Sequence, residues 1–235
     1  MSAPVSFEGF LDRLGAPARI SVLAPHPDDE TCGCGGFLAL CARAGLAVSV
    51  ILATDGGASH EHSPSHGEAR LKQVRRAEMA RALRRLGVAA PVARLDLPDG
   101  DCERLDAAGL APARRRLARR LSAFRPDLVL APWRRDPHGD HRAAHHLARG
   151  ALPRGARLVE YDVWTALTGA PADQPRKGEV ERVALDIRPV LSAKRRALQA
   201  HASQLGRRIT DDPGGFAFTR GEQRRLLAPV EHYFL

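Results

Sequence analysis

The stretch ARISVLAPHPDDE, residues 18–30, decides the fold class of this chain. Its first seven residues are mostly apolar and contain neither proline nor glycine, as is typical of a strand buried in a sheet. The next six residues supply a histidine and three carboxylates, and lead into a predicted helix that reaches roughly Gly45. A strand followed by a helix, with polar residues at their junction, is the repeating unit of layered α/β proteins.

The same alternation of apolar strands and amphipathic helices continues to the end of the chain. We expect an α/β fold in a single domain over residues 1–235, with a Rossmann-like, mostly parallel sheet flanked by helices. The predicted strands after the first are residues 46–54, 91–97, 126–133, 157–165 and 180–187, and the predicted helices are residues 68–86, 111–124, 141–148 and 189–204.

Composition indicates a globular protein. Of the 235 residues, 44% are hydrophobic and 27% are charged, and no apolar run approaches the ~20 residues of a transmembrane helix. Residues 1–19 carry acids, prolines and glycines where a signal peptide needs an apolar core, so we expect a cytoplasmic location. The four cysteines lack the paired C-x-x-C spacing of thiolate zinc sites, which favours packing roles.

The net charge of +9 comes almost entirely from arginine. The clusters RRAEMARALRR (75–85) and ARRRLARR (113–120) alternate with alanine and leucine at helical spacing. Only 5% of the residues are aromatic, whereas single-stranded nucleic-acid sites combine basic residues with stacking aromatics. We therefore expect solvated basic helix faces and no nucleic-acid partner, while attraction to an anionic substrate or membrane surface stays open.

Ionisable residues follow four of the predicted strands. These groups are His26–Glu30, Asp55–Gly57, Asp99 and His138–His141. Ligands of open α/β sheets bind outside the carboxyl ends of the strands. The sequence therefore predicts one convergent site at that edge.

The first group has two interpretations. His26 and Asp29 are three residues apart, so in a helical turn they face the same side and Asp28 points elsewhere. That arrangement would separate a metal ligand from a free carboxylate beside the metal. Alternatively, Asp28, Asp29 and Glu30 only complement the positive end of the helix, a contribution of about 0.3–1 kcal/mol each.

The second group, DPHGDHRAAHH (136–146), is denser. His138 and His141 flank Asp140 directly after an apolar strand, while His145 and His146 continue along the helix as surface or packing residues. A His-Asp-His donor set drawn from two distant segments matches catalytic zinc sites, which use three protein ligands and leave one position open.

Several segments together resemble the PIG-L-type deacetylases, N-acetylglucosaminyl de-N-acetylases that act on inositol-, thiol- or glycan-linked glucosamine. The resemblance covers most of the chain in the right order, and departs from the commonest pattern at Cys32, a packing position where an aliphatic residue is more typical. The segments that carry it are PHPDDETCGCGG (25–36), ATDGGASH (53–60), VRRAEMARALRRLG (74–87), LPDG (97–100), APWRRDPHGDHRAA (131–144), YDVW (161–164) and KRRALQAHASQ (194–204).

The resemblance implies one Zn²⁺ per chain, bound by His26, Asp29 and His141, although such a donor set also accepts other divalent ions. It implies that Asp28 is the general base and that His138 stabilises the oxyanion or protonates the leaving amine.

The remaining implied roles support these groups. Asp140 would orient a neighbouring histidine, as carboxylates behind metal ligands commonly do. Arg75, in an R-x-x-E pattern with Glu78, and Asp99 would bind the sugar.

We therefore expect a zinc-dependent hydrolase that removes an N-acyl group, acetyl by preference, from a small-molecule or lipid-linked amino sugar. Whether it forms a homo-oligomer stays open. A metallo-β-lactamase-like hydrolase is the alternative, but Asp136 replaces the first histidine of its H-x-H-x-D-H signature. A non-catalytic relative would be expected to have lost Asp28, Asp29 or His141, and none is lost.

Overall fold

The structure is a computed structural model that describes residues 3–235, so Met1 and Ser2, the start of the segment tested for a signal peptide, lie outside the described residues. One sheet joins seven strands: β1 (Arg19–Ala24), β2 (Ala47–Thr54), β3 (Ala93–Leu97), β4 (Leu128–Pro132), β5 (Arg157–Tyr161), β6 (Arg182–Asp186) and β7 (Val230–Phe234). The α-helices are α1 (Phe7–Leu14), α2 (Asp29–Arg43), α3 (Glu68–Leu86), α4 (Ala107–Phe124), α5 (Gly139–Ala151), α6 (Trp164–Leu167), α7 (Leu191–Leu198) and α8 (Arg220–Leu226).

The strand order β3-β2-β1-β4-β5-β7-β6 confirms the predicted mostly parallel α/β sheet. Strands β1 to β5 pair in parallel, and β7 pairs antiparallel with β5 and β6. Along the chain, strands β2 and β3 are added on one side of β1, and strands β4 and β5 are then added on its other side. The carboxyl ends of β1 and β4 therefore flank a switch point in the strand order, where ligands of such sheets bind.

Each face of the sheet is covered by helices around its own apolar cluster. One cluster includes Phe10 of α1, Phe37 of α2 and Leu83 of α3. The other includes Leu117 of α4 and Leu147 of α5. The two clusters hold the strands rigidly between the layers, so that groups at the strand ends keep fixed positions. No helix within residues 3–235 combines the length and apolar character needed to cross a bilayer.

Helix α2, which begins at the first polar group, is interrupted at Cys34 by non-helical backbone angles. Glu231 of β7 accepts hydrogen bonds from the backbone N–H groups of Gly36 (2.6 Å) and Phe37 (2.9 Å), just after the interruption. Its charge is balanced by buried Lys194 of α7, whose Nζ lies 2.7 Å away and also donates to the carbonyl of Cys32. This buried pair fixes the path of α2 close to the site.

Most of the predicted elements are confirmed, and the differences lie mainly toward the carboxyl terminus. The predicted helix over residues 189–204 ends at Leu198, and a 3₁₀ turn follows at Ala202–Leu205. Between them His201 is fully buried, with Nε2 3.3 Å from Oγ1 of Thr31, so a contact with α2 overrides helical propensity there. The predicted strand over 157–165 ends at Tyr161, and α1, α8 and β7 were not predicted.

Candidate metal centre

The turn after β1 buries all three carboxylates of the first polar group. Asp28, Asp29 and Glu30 are at most 4% exposed, and Asp28 precedes α2 without making a side-chain capping bond. Oδ2 of Asp29 accepts the backbone N–H of His26 at 2.8 Å and lies 3.1 Å from Nδ1 of the same residue. Charge at a helix terminus does not account for carboxylates so deeply buried, because its contribution of at most about 2 kcal/mol is smaller than the cost of several kcal/mol for burying each ion.

The loop after β4 brings the second group to the same point. His138 precedes α5, and His141 lies in the first turn of that helix with a fully buried ring. Nε2 of His141 is 3.1 Å from Oδ2 of Asp29, so the two segments meet. His26, Asp29 and His141 each place one donor atom within 4.8 Å of the others.

These three residues fit a divalent cation. The ring nitrogens of fully buried His141 face only carboxylates, Nε2 that of Asp29 and Nδ1 that of Asp136, and neither contact within residues 3–235 has the geometry of a good hydrogen bond. Nε2, which lies beside another prospective ligand, is therefore available to an ion. Nitrogen and carboxylate donors are those that zinc accepts. A second possible set comprises His26, His138 and Asp140. We favour the first, because both oxygens of Asp140 already accept backbone N–H groups, from Gly100 (2.7 Å) and Cys102 (2.9 Å).

A carboxylate lies behind each of the two histidines in the favoured set. Oδ2 of Asp140 is 3.0 Å from Nε2 of His26, and Oδ2 of Asp136 is 3.3 Å from Nδ1 of His141. Carboxylates in this position fix the tautomer and orientation of metal-binding imidazoles. The structure therefore places Asp140 where the predicted orienting role requires it, and adds Asp136, to which the sequence assigned no role.

Asp136 connects several parts of the site. Its Oδ1 accepts the backbone N–H of His138 at 2.9 Å, and its Oδ2 accepts that of Trp164 at 3.2 Å while facing His141. The side chain is completely buried. A single carboxylate thus sets the relative positions of the loop after β4, the ring of His141 and the start of α6.

We expect Asp136→Asn to weaken metal affinity by about 10–100-fold, because an amide cannot replace the negative charge behind His141. A metal-competition titration of the purified protein measures this directly. Asp127→Asn is the matched control: Asp127 also accepts two backbone N–H groups, from Ala18 and Arg19, but at the amino end of β1. Equal metal affinity in the two variants would refute the assigned role.

Asp28 belongs to neither possible ligand set and lines the cavity next to the metal centre. Its Oδ2 is 3.3 Å from Nη2 of Arg75, and Nη1 of Arg75 is 3.6 Å from Oδ2 of Asp99. Burial raises the pKa of Asp28, and the charge of Arg75 offsets this only in part. The predicted base and the two predicted sugar-binding residues therefore form one connected group in the wall of the cavity.

His138 is held as a hydrogen-bond donor. Its Nδ1 accepts the backbone N–H of Asp140 at 3.2 Å, which leaves Nε2 as the protonated nitrogen of a neutral ring. Burial, together with positive charge on His26 and His141, lowers the pKa of His138 to about 4. Protonation of the leaving amine by His138, the other predicted role, stays a prediction that this arrangement does not test. Stabilisation of an oxyanion through Nε2–H is compatible with it.

The electrostatics of the centre favour positive charge. Burial alone would lower the pKa of His26, but hydrogen bonds to Asp140, Asp29 and Asp99 raise it well above its ordinary value. Burial would also raise the pKa of Asp29, yet His141 and His26 hold it well below its usual range. Within the described chain, five buried or nearly buried carboxylates meet a single buried arginine, Arg75, at this site; they are Asp28, Asp29, Asp99, Asp136 and Asp140. A bound divalent cation would balance this excess.

The family model described as GlcNAc-PI de-N-acetylase (PIG-L) matches residues 21–152, more than half of the chain. The chain belongs to the PIG-L family. The matched region contains every residue named above as a metal ligand, base, orienting group or sugar-binding group. The resemblance carried by the sequence segments is thereby confirmed.

Individual relatives agree in fold and differ in chemistry. The chain is 28% identical to 1D-myo-inositol 2-acetamido-2-deoxy-alpha-D-glucopyranoside deacetylase from Mycobacterium sp. (strain JLS), over 92% of this chain and 83% of that protein. The zinc-inhibited form of teicoplanin deacetylase Orf2 is 18% identical with a TM-score of 0.67, over 92% and 97% of the two chains. The 4-carboxy-2-hydroxymuconate hydratase GalB from Pseudomonas putida KT2440 is 25% identical with a TM-score of 0.54, over 79% and 80%.

The cavity of this PIG-L family member has a volume of about 500 Å³ and contains a feature that sequence reasoning missed. Trp164, Phe216 and Phe218 line it together with His26, Asp28 and His138. The tryptophan lies in the YDVW segment, but the two phenylalanines lie beyond the last of the family segments, in a loop without a periodic pattern. Only tertiary contacts bring the three rings together.

The other sequence-based expectations concern residues outside the centre. The four cysteines are all buried and unpaired, in keeping with packing roles, and none belongs to a possible metal site within residues 3–235. His145 is buried, with Nδ1 3.1 Å from Oε1 of Glu160, while His146 is exposed. The arginines of α4 are exposed and do not line the cavity, as expected of a solvated face. In the cluster over residues 75–85 the same expectation is wrong for Arg75, which is buried in the cavity wall.

Proposed function

We propose that this chain is a zinc-dependent hydrolase that removes the acetyl group from the amine of an N-acetylglucosamine-type conjugate, either a small molecule or a lipid-linked sugar. The observation that carries the proposal is the convergence of His26, Asp29 and His141 beside Asp28, which is not one of the ligands. All of these except the fully buried His141 line one cavity. Membership of the PIG-L family and the named activity of the mycobacterial relative support the same substrate class.

The chemistry divides between the metal and the side chains. A divalent ion held by His26, Asp29 and His141 would supply Lewis acidity toward the amide carbonyl and lower the pKa of a water to about 7. Asp28 takes a proton from the attacking water as the C–O bond forms. Asp28 then delivers that proton to the amide nitrogen as the C–N bond breaks, the proton of the new carboxyl group passes to the freed amine, and acetate and the ammonium form of the sugar are released.

The remaining side chains bind and orient. Nε2–H of His138 donates a hydrogen bond to the developing oxyanion, a contribution of about 10²–10³ in kcat for donors of this kind. Arg75 and Asp99, which already contact each other, bind the sugar hydroxyl groups. Asp140 and Asp136 hold the rings of His26 and His141 in the required orientation.

We expect acetate release from N-acetylglucosamine and its glycosides by the metal-stripped protein to require added zinc, while phosphate esters, carboxylate esters and β-lactams are poor substrates. A panel of these compounds, assayed with and without one equivalent of zinc, tests the proposal. The hydratase chemistry found on the same fold is tested in parallel with 4-carboxy-2-hydroxymuconate. Faster turnover of a β-lactam, of an ester or of the muconate than of every N-acetyl sugar would contradict the proposal.

A further inference from the structure

The cavity has two chemically different halves. The buried half contains His26, Asp28, Asp29 and Arg75, all at most 7% exposed. The other half is an aromatic wall formed by Trp164, Phe216 and Phe218. Phe218 is buried, whereas Trp164 and Phe216 are half-buried, so this wall extends from the interior toward the mouth of the cavity.

The three rings of the aromatic wall pack against one another. Trp164 stacks on Phe218 with ring centroids 5.7 Å apart and an interplanar angle of 20°, and Phe216 packs edge-on against Phe218 at 4.9 Å. Such pairs are worth about 0.5–1.5 kcal/mol beyond the area they bury. Three mutually packed rings present a contiguous apolar surface to the cavity.

Backbone contacts hold the wall in place on both sides. The N–H of Phe216 donates to the carbonyl of Ser59 (2.8 Å), and that of Phe218 to the carbonyl of Gln204 (2.9 Å). A Cβ on Gly215 would lie 2.3 Å from the ring of His60, so the loop packs directly on its neighbour. The N–H of Trp164 donates to Asp136, which ties the wall to the metal centre.

The position of the wall identifies the part of the substrate that it contacts. The reacting amide must reach the buried end of the cavity, where Asp28 and His138 lie. An acetyl group is small and stays there. In an N-acetylglucosamine glycoside the aglycone is attached at C1, next to the amide-bearing C2, and it is the one substituent that can be larger than the sugar itself. From this position beside the buried amide, a large aglycone extends along the cavity toward the half-exposed mouth. A cavity of about 500 Å³ lies within the range of sites for drug-sized ligands, so it has room beyond a single hexosamine.

We propose that Trp164, Phe216 and Phe218 form a subsite for an apolar, ring-containing aglycone of the amino sugar. This inference rests on the proposed deacetylase function and narrows its substrate class. A polyol aglycone such as inositol has hydroxyl groups around its whole ring and gains little from an aromatic surface. An aryl aglycone buries its ring faces against Trp164 and Phe216.

The test compares kcat/KM for the phenyl and methyl glycosides of N-acetylglucosamine, both anomers of each, with N-octanoylglucosamine as a third substrate. For the wild-type enzyme we expect the better phenyl glycoside to exceed its methyl counterpart by about tenfold. The ratio should fall toward one in Trp164→Ala and Phe216→Ala, because the phenyl glycoside loses more of its kcat/KM than the methyl glycoside. Phe124→Ala is the matched control, since this half-buried ring packs under Arg19 and does not line the cavity.

Several outcomes would overturn the subsite. These are equal turnover of phenyl and methyl glycosides by the wild-type enzyme, an aryl preference that survives in both folded variants, or a preference for the octanoyl substrate that Trp164→Ala and Phe216→Ala abolish. Circular dichroism establishes whether each variant is folded. If one of the two variants does not fold, the other still tests the subsite. If no N-acetyl sugar is hydrolysed at all, the proposed function falls and the subsite with it, a result distinct from the loss of the aryl preference alone.

Discussion

Asp28→Asn should lower kcat by about 10²–10⁴-fold while the protein keeps its full metal content, because a positioned general base contributes about that much to rate. Asparagine has nearly the same shape as aspartate but cannot accept a proton from water. Asp28 is buried in the cavity wall and lies outside the ligand sets, so its replacement leaves the donors of the centre in place. Arg75 keeps Asp99 as a partner.

The measurement is kcat and KM for the best N-acetyl sugar, together with metal analysis of the same sample. KM should change little, because Asp28 acts on the water and makes no uniform contribution to substrate binding. Retention of most of the wild-type activity would contradict the assignment of Asp28 as the base. Loss of the metal in Asp28→Asn would show that the roles of Asp28 and Asp29 are exchanged.

His141→Ala should lose most of the bound metal and, with it, the activity, because a site with three protein ligands becomes a site with two. Asp29→Asn should show weaker metal binding, with activity partly restored by excess zinc. His145→Ala is the matched control: it lies one turn further along the same helix, is also buried, and faces Glu160 outside the metal centre. The control should retain about one equivalent of metal.

Elemental analysis after dialysis against metal-free buffer measures this effect for these three variants and for His26→Ala. The ligand assignment fails if His141→Ala and His26→Ala both keep full occupancy. It also fails if His145→Ala loses as much metal as His141→Ala.

The local signals of the sequence predicted the centre of the fold well. The stretch over residues 18–30 gave a strand, a turn and a helix, and the structure places β1 and α2 there. Helix α3 has the predicted bounds, because Gly87 adopts a left-handed conformation that ends it. These elements depend on periodicity, on caps and on positive backbone angles, all of which are local properties.

The elements that were missed depend on distant contacts. Strand β7 is only five residues long and pairs antiparallel between β5 and β6, so its formation requires partners that lie far away in the sequence. The break after Leu198 follows from the burial of His201 against α2, which no local propensity encodes. Helix α6 replaces the end of a predicted strand because Trp164 donates its N–H to Asp136.

The same distinction holds within the site. The spacing of His26 and Asp29 predicted that they face the same side of a turn, and the family resemblance implied that His141 is a ligand. Both predictions were possible because these residues lie in compact sequence motifs. The pairing of Asp136 with His141, the contact of Asp140 with His26 and the neutral form of His138 depend on side-chain packing across the strand ends. The aromatic wall was hidden for the same reason, since residues from separate loops meet there only after folding.

The most direct test of the account is a titration of the metal-stripped protein with zinc, with acetate release from N-acetylglucosamine as the readout. The account predicts no release by the stripped wild-type protein and a linear rise in rate that reaches its plateau at about one equivalent of zinc per chain, as a single three-ligand site requires. Stripped His141→Ala should show no such rise at the same zinc concentrations. Undiminished acetate release by the stripped wild-type protein, or an equal response to zinc in His141→Ala, would contradict the central claim.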